Sequence, residues 1–161
     1  MIVWDVDGTL CDYSHRLHLL PGSTNPAQVH CMKDHSREQI AKFMDPEWVA
    51  KDAPIEPALW YLKQMIWQER DFCLITSRWA SLRQVTLKWF AQNHCAFSSN
   101  KLYMRRNDDI RSSVEVKLEL ARPFLPFITK WFDDDIGMIA ALSKRNINAV
   151  LVPDYWEMLK P

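Results

Sequence analysis

Short apolar runs that stop abruptly at polar residues are the feature of this sequence that most restricts its fold. Three such runs end at Asp5, Thr76 and Asp133. Apolar runs of this length indicate buried strands, and the segments between them carry apolar side chains at helical spacing. Strands that alternate with helices predict a parallel sheet covered by helices on both faces. Because the carboxyl ends of parallel strands meet at one edge, we expect the polar residues to gather there.

The predicted elements alternate regularly after one early interruption. Residues 11–57 separate the first strand from the regular part, and we expect a small cap-like insertion that either roofs a site or decorates the surface. Within it, Ser36 is a predicted helix N-cap and Pro46 a predicted helix stop. The predicted strands are residues 2–4, 72–75, 101–104, 127–132 and 148–152. The predicted helices are residues 36–44, 57–70, 80–94, 114–120 and 136–145.

Length, charge and hydropathy limit the possible classes of protein. A chain of 161 residues with 48% hydrophobic content is long enough for one domain with a substantial core. Twenty basic and twenty acidic residues cancel, so no overall charge attracts the protein to nucleic acid or to a membrane surface. No signal peptide precedes Ile2 and no apolar run is long enough to cross a bilayer. We therefore expect a cytoplasmic protein that does not bind membranes.

The four cysteines indicate reduced thiols rather than a disulfide framework. Cys11, Cys31, Cys73 and Cys95 are widely spaced, and no two of them form a C-x-x-C pair. Cys31 lies between two histidines, His30 and His35, and such a group can bind zinc. An incidental cluster in a polar segment is the preferred interpretation.

Two aspartates follow the first predicted strand within the sequence Asp5-Val6-Asp7-Gly8-Thr9. Gly8 allows a sharp bend there, which would leave both carboxylates at the strand end. An ordinary Asp-Gly turn is the alternative, because a motif this short recurs by chance.

Four ordered motifs resemble those of the haloacid dehalogenase (HAD) superfamily. They are the Asp5 to Thr9 turn, Thr76 after an apolar strand, Lys117 on a following helix, and Phe132-Asp133-Asp134 after a late strand. The match spans nearly the whole chain. It implies a HAD-like Rossmannoid three-layer α/β sandwich, with a central parallel sheet and a small cap insertion after the first strand.

Shorter strings resemble the phosphatase domain of phage-type polynucleotide kinase-phosphatases. They are Arg16, the pair Ser77-Arg78, the run Leu102-Tyr103-Met104-Arg105 and the pair Val116-Lys117. The chain departs from that pattern in two places. Ser77 stands where relatives commonly have glycine, and Ser112-Ser113 stands where an acidic residue commonly precedes the lysine. Both departures leave the exact substrate open.

The two aspartates of the first motif fit the two tasks of phosphate ester hydrolysis. A phosphate ester is surrounded by negative charge, so an attacking carboxylate needs that charge neutralised and the leaving oxygen protonated. We expect Asp5 to be the nucleophile that forms an aspartyl-phosphate. Asp7 is expected to protonate the leaving group as general acid and then to activate water as general base.

The remaining motif residues would neutralise or bind the phosphoryl group. Crowded carboxylates with oxygen-only ligands fit Mg²⁺, which is the expected cofactor. Lys117 would add positive charge, and Thr76 would donate a hydrogen bond to a phosphoryl oxygen. The predicted magnesium ligands are Asp5, Asp7, Asp133 and Asp134.

Several residues are predicted to contact the substrate, namely Thr9, Arg16, Ser77, Arg78, Arg105 and Arg111. Arg16 and Arg78 are expected to hold the phosphate itself. Arg105 and Arg111 are expected to bind the backbone of a nucleic-acid strand at the rim. For any one of these arginines, the alternative is a solvated side chain or an ion pair with an acid such as Asp108 or Asp109.

The positions of the glycines exclude two nucleotide-binding motifs, and the tryptophans raise the question of packing against base stacking. The three glycines, Gly8, Gly22 and Gly137, supply neither a P-loop nor a G-x-G-x-x-G motif, so we expect no kinase half and no dinucleotide cofactor. Trp60, Trp67 and Trp89 are expected in the core, because they lie at helical spacing on apolar faces. Trp79 follows a strand end, where it either stacks on a base or packs against the insertion.

The sequence thus predicts a Mg²⁺-dependent phosphomonoesterase that removes 3′-phosphates from nucleic-acid ends. A nucleotidase acting on nucleoside monophosphates is the alternative enzyme. A non-catalytic phosphate-binding module is the alternative of another class, and retention of the carboxylates weighs against it. Protein partners are not predicted.

Overall fold

The structure is a computed structural model that describes residues 1–22, 35–107 and 109–152. The sequence-based expectations at His30, Cys31 and Asp108 lie outside these residues. Cys11, Cys73 and Cys95 are buried free thiols, as predicted. No helix in the described ranges is long and apolar enough to span a membrane.

Strands and helices alternate as predicted. In the described residues the strands are β1 (Ile2–Trp4), β2 (Cys11–Asp12), β3 (Ala53–Pro54), β4 (Phe72–Trp79), β5 (Leu102–Arg105), β6 (Lys130–Asp133) and β7 (Ala149–Leu151). The α-helices there are α1 (Arg37–Phe43), α2 (Pro46–Val49), α3 (Glu56–Trp67), α4 (Arg83–Gln92), α5 (Ser113–Ala121) and α6 (Ile136–Ser143).

β1 is the central strand of a parallel sheet with the order β5-β4-β1-β6-β7. β4 and β5 lie on one side of β1, and β6 and β7 lie on the other, so the strand order reverses at β1. Ligands of open α/β sheets bind where the order reverses, outside the carboxyl ends of the strands. β2 and β3 form a separate antiparallel pair that joins the two ends of the insertion.

Helices cover both faces of the sheet because alternate strand residues point in opposite directions. Val3 and Trp131 pack into the cluster on the α5 and α6 face. Trp4 and Phe132 pack into the larger cluster on the α3 and α4 face, where their rings stack with centroids 4.2 Å apart. The predicted three-layer α/β sandwich is therefore confirmed.

α3 buries a different stripe from the one that its tryptophans suggested. Its buried residues include Leu59, Leu62 and Met65, which recur every third residue on one side. Trp60 and Trp67 lie off this stripe and are 61% and 79% exposed. The prediction that both belong to the core was wrong. Trp89 of α4 is buried, as predicted.

Two strands, β4 and β6, begin or end three or more residues away from their predicted bounds. β4 continues through Thr76 to Trp79 because its pairing with β5 continues, with a register shift after Thr76. Thr76 therefore lies inside a strand rather than after one. β6 begins only at Lys130, since the preceding residues Leu125–Phe127 form a 3₁₀ turn.

Side-chain caps fix the short helices of the insertion. Ser36 caps α1 in a reciprocal capping box with Gln39, which confirms the predicted N-cap. α1 ends at Phe43, before Pro46, and this proline begins α2 with Asp45 as its cap.

A second capping box fixes the start of α5, the helix that carries Lys117. The Ser112 side chain accepts a hydrogen bond from the Glu115 backbone N–H, and the Glu115 carboxylate accepts one from the Ser112 N–H. We expect Ser112→Ala to lower the free energy of unfolding in urea by about 1 kcal/mol, because helix N–H groups lose their partner.

Ser98→Ala is the matched control for this change. Ser98 is exposed and precedes a 3₁₀ turn without a side-chain cap hydrogen bond. Equal stability losses in the two variants would contradict the assigned role of the Ser112 cap.

Candidate active site

Three sequence motifs meet at the carboxyl edge of the sheet. Asp5 follows β1 and donates its backbone N–H to Phe132 O of β6 at 2.9 Å. Lys117 reaches over from α5, and its Nζ lies 2.9 Å from Asp5 Oδ2. The same ammonium lies 3.0 and 2.9 Å from the two carboxylate oxygens of Asp133. The predicted gathering of polar strand ends is therefore present.

Burial makes the charges of this group interdependent. It raises the pKa of Asp5 well above its ordinary value, Lys117 opposes the rise, and Asp133 and Asp134 add to it. Burial and the neighbouring Asp133 also raise the pKa of Asp134 to about 7. Burial alone would lower the pKa of Lys117, but Asp133 and Asp5 hold it well above its ordinary value. Lys117 is therefore a permanent cation.

Gly8 lets the first turn approach Asp134. Its φ is +78°, a conformation that favours glycine, and an added Cβ would lie only 2.0 Å from Asp134 Oδ2. No side chain fits at position 8 unless Asp134 moves. The turn after β1 and the turn after β6 are thus in direct contact.

The acidic cluster fits a hard divalent cation. Asp5, Asp133 and Asp134 each offer an oxygen, and these atoms lie within 4.8 Å of one another. Asp5 Oδ1 is buried and has no hydrogen-bond partner in the described part of the chain. Oxygen ligands of this kind suit Mg²⁺. Asp7, also predicted as a ligand, is not part of this cluster.

Asp7 instead lies between two buried arginines. Arg16 Nη2 is 2.5 Å from Asp7 Oδ1, and Arg78 donates to both Asp7 oxygens at 2.9 Å. Although burial alone would raise the pKa of Asp7, Arg78 and Arg16 hold it well below its ordinary value. Asp7 is therefore ionised in this arrangement. Its carboxylate is bound to protein cations, which explains why it lies apart from the acidic cluster.

Asp52, which the sequence analysis missed, completes this network. It accepts hydrogen bonds from Arg16 Nε at 2.9 Å and from Arg78 Nη2 at 2.6 Å. Its backbone carbonyl accepts from Trp89 Nε1 at 2.7 Å. Asp52 lies at the end of the insertion in no recognisable motif. Charge balance could have indicated such a residue, because two buried arginines beside the single carboxylate of Asp7 need a second acid.

This network corrects the predicted contact of Arg16 and Arg78 with the phosphate. Both side chains are 0% exposed and are directed at Asp7 and Asp52. A buried guanidinium group needs hydrogen-bond partners, and the N–H groups of both arginines donate to these carboxylates. The two arginines thus lie behind Asp7 rather than in the cavity.

A small cavity of about 50 Å³ opens beside Asp5. It has room for about three or four waters, comparable with a phosphoryl group. Its walls carry the predicted site residues Asp5, Asp7, Ser77, Arg105, Lys117 and Asp134, together with four residues that were not predicted as site residues, Tyr13, Phe43, Met44 and Ser113. Phe43 and Met44 come from α1 and its cap, so the described part of the insertion lines the site.

Arg105 presents unused donors at this cavity. The side chain is buried, and Nη1 donates to the backbone carbonyls of Asp109 and Arg111 at 3.2 and 2.8 Å. Nε and Nη2 have no hydrogen-bond partner among the residues described. A buried guanidinium with free donors is a ready anion site. Arg105 therefore lies inside the cavity and not at an exposed rim.

Arg111 does not line the cavity. It forms ion pairs with Asp109, at 2.6 Å, and with Glu119 on the protein surface. This is the alternative that the sequence analysis left open. Exposed ion pairs of this kind contribute little to stability.

The three hydroxyl groups that were predicted to bind the phosphoryl group or the substrate lie at different depths below the surface. Thr76 is buried, and its Oγ1 accepts a hydrogen bond from the Arg78 backbone N–H at 3.2 Å. Thr9 is fully buried, and its hydroxyl has no partner within the described ranges. Ser77 lines the cavity, where its hydroxyl hydrogen-bonds to that of Ser113. Of the three hydroxyl groups, that of Ser77 is the one placed on the cavity wall.

We expect Asp52→Asn to destabilise the protein by about 3–5 kcal/mol, because it leaves the buried Arg16 and Arg78 with one carboxylate between them. The measurement is the free energy of unfolding in urea. Glu38→Gln is the control, since it removes an exposed ion pair with Lys42 and is expected to change little. A similar small effect of both substitutions would show that the buried network does not stabilise the fold.

Structural comparison identifies the fold. No protein-family model and no curated protein matches the sequence. Two structures of the Pnkp1/Rnl/Hen1 RNA repair complex contain a chain with 20% identity and TM-scores of 0.63 and 0.64. These matches cover 94% of this chain but only 44% and 41% of the other, so this chain spans less than half of that protein. A HAD hydrolase of family IA from Entamoeba histolytica has 12% identity and a TM-score of 0.61, over 94% of this chain and 83% of its own. The chain therefore has the α/β fold of the HAD hydrolases.

Proposed function

We propose that this chain is a Mg²⁺-dependent phosphomonoesterase that works through an aspartyl-phosphate on Asp5. The observation that carries the proposal is the position of Asp5, buried between Lys117 and the acids Asp133 and Asp134 at the wall of a cavity of phosphoryl size. The likeness of fold to HAD hydrolases supports it.

Asp5 is suited to attack phosphorus because one of its oxygens, Oδ1, has no partner among the described residues. Lys117 holds the other oxygen and offsets the charge of the incoming phosphate. Arg105 supplies two further donors from the cavity wall. Mg²⁺ bound by Asp5, Asp133 and Asp134 would neutralise phosphoryl charge. Attack by Asp5 releases the alcohol, and water then hydrolyses the aspartyl-phosphate.

Asp7 is the group that moves protons in this scheme. Arg16 and Arg78 favour its carboxylate form, which suits the general base that activates water in the second step. A phosphate dianion in the cavity acts in the opposite sense, because a neighbouring like charge favours protonation. Asp7 lines the cavity, and its role as general acid in the first step requires that the bound phosphate raise its pKa against the two arginines.

For the substrate we propose a 3′-phosphorylated nucleic-acid end. The support is the likeness of fold to a chain of an RNA repair complex, together with Arg105 as an additional cation in the cavity. Nucleoside monophosphates are the alternative substrates of the same chemistry. A purely phosphate-binding module is disfavoured, because three buried carboxylates repel the anion that such a module would bind.

Asp5→Asn should abolish turnover of p-nitrophenyl phosphate with Mg²⁺ while the protein stays folded, because an amide keeps the shape but cannot attack phosphorus. Activity is measured by release of the phenol, before and after chelation of the metal. Asp71→Asn is the control, since Asp71 is exposed and precedes β4 at the opposite edge of the sheet. Turnover by Asp5→Asn at a rate near that of the parent would remove Asp5 from its role.

Arg105→Gln should lower kcat/KM about 10- to 150-fold, for p-nitrophenyl phosphate and for a 3′-phosphorylated oligonucleotide alike. The reason is that charge-assisted hydrogen bonds contribute about 1.5–3 kcal/mol, and Arg105 faces the phosphoryl cavity. Arg111→Gln is the matched control and should leave both rates near the parent. A loss confined to the oligonucleotide would instead support the rim position that the sequence suggested.

A further inference from the structure

A second cavity, of about 400 Å³, is lined partly by residues that lie two or three positions along the chain from residues of the catalytic cavity. We propose that it holds the base of the terminal nucleotide whose phosphate enters the catalytic cavity, with the indole of Trp79 as the stacking surface. This inference rests on the proposed phosphatase function and specifies its substrate as a nucleotide unit. The volume lies in the range of about 300–1,000 Å³ that is usual for small-ligand sites.

The two cavities share the strands that form their walls. β4 contributes Ser77 to the catalytic cavity and Trp79 to the second one. β5 contributes Arg105 to the catalytic cavity, and the chain just beyond it contributes Asn107 to the second. Two residues of chain span at most about 7 Å, so these walls hold the lining residues of the two cavities close together. A sugar ring bridges its phosphate and its base over a comparable distance.

α1 forms the opposite wall of both cavities. Phe43 and Met44, at its carboxyl end, line the catalytic cavity, whereas Ile40 and Ala41 line the second. Three residues of helix span about 4.5 Å. The same helix and the same strand ends thus contribute residues to both cavities, which is the arrangement that one nucleotide across them requires.

A register irregularity in the sheet directly precedes Trp79. The pairing of β4 with β5 shifts register between Thr76 and Trp79, and such irregularities redirect side chains near functional sites. Trp79 is half-buried and packs against the main hydrophobic cluster, which fixes the ring while leaving part of it at the cavity. Aromatic rings held in this way stack on nucleic-acid bases of any sequence.

The polar groups of the second cavity suit a nucleotide. The Asn107 Oδ1 accepts the backbone N–H of Ser81 at 2.9 Å, which leaves its amide nitrogen to donate to a base. Arg37 is an exposed cation on the wall and suits the phosphodiester of the preceding nucleotide. Asp109 also lies there, but Arg111 neutralises its charge.

The test compares two 3′-phosphorylated oligonucleotides that differ only in the base of the last nucleotide, one normal and one abasic. Binding is measured by fluorescence anisotropy with the Asp5→Asn protein, so that turnover does not interfere. We expect the normal end to bind about 5- to 150-fold more tightly, the range given by stacking of one base. In the Asp5→Asn/Trp79→Ala protein this preference should disappear, and Trp79→Phe in place of Trp79→Ala should restore most of it.

The matched control is Trp67→Ala in the same Asp5→Asn background, because Trp67 is 79% exposed on α3, away from both cavities. It should keep the full preference. Equal binding of both oligonucleotides by the protein with Trp79 intact would overturn the proposal and leave the cavity to an apolar partner.

Activity on glycerol 2-phosphate separates this inference from the proposed function. With Asp5 intact, Trp79→Ala should leave that activity unchanged, since this small alkyl substrate has no ring to stack in the second cavity. A parallel loss on both substrates would contradict a base-binding role. Absence of any phosphatase activity in the parent would refute the proposed function, whereas the binding comparison would still decide the base site.

Discussion

The ion pairs of Asp7 with the buried arginines Arg16 and Arg78 constrain the turn that follows β1. Charges are costly to bury unless each has a partner, so the two guanidinium groups fix Asp7 and Asp52 together. The turn after β1 is thereby tied to β4 and to the end of the insertion. The position of Asp7 follows from this balance of charge as much as from the strand before it.

On the opposite side of the same turn the charges do not balance. There Asp5, Asp133 and Asp134 share the single ammonium of Lys117, so acidic groups are in excess. A site with excess carboxylate attracts a cation, and Asp5 keeps one oxygen without a partner among the described residues. The backbone of the turn thus separates a network with balanced charges from an acidic cluster that fits a cation.

The sequence predicted the fold well because the signals were local. Alternation along β1 places Val3 and Trp4 on opposite faces of the sheet, and the polar strand ends identify one edge.

The predictions that were wrong or missing concern residues whose position depends on tertiary contacts. Asp52 belongs to no motif and is explained only by arginines 36 and 26 residues away. Trp60 and Trp67 share one side of α3, and tertiary packing decides that this side faces solvent. Arg105 and Arg111 looked equivalent in sequence, yet only Arg105 is enclosed by the fold.

The position of Asp52 bears on how freely such an insertion can be exchanged between proteins. Asp52 immediately precedes β3, near the point where the chain returns to the sheet, and its carboxylate pairs with the buried Arg16 and Arg78. A foreign cap grafted between β2 and β3 without this carboxylate would leave two buried guanidinium groups sharing one acid. The insertion therefore cannot be exchanged independently of the core. A replacement insertion needs an acidic residue at its end to pair with the two buried arginines, so the sequences of the insertion and of the core depend on each other.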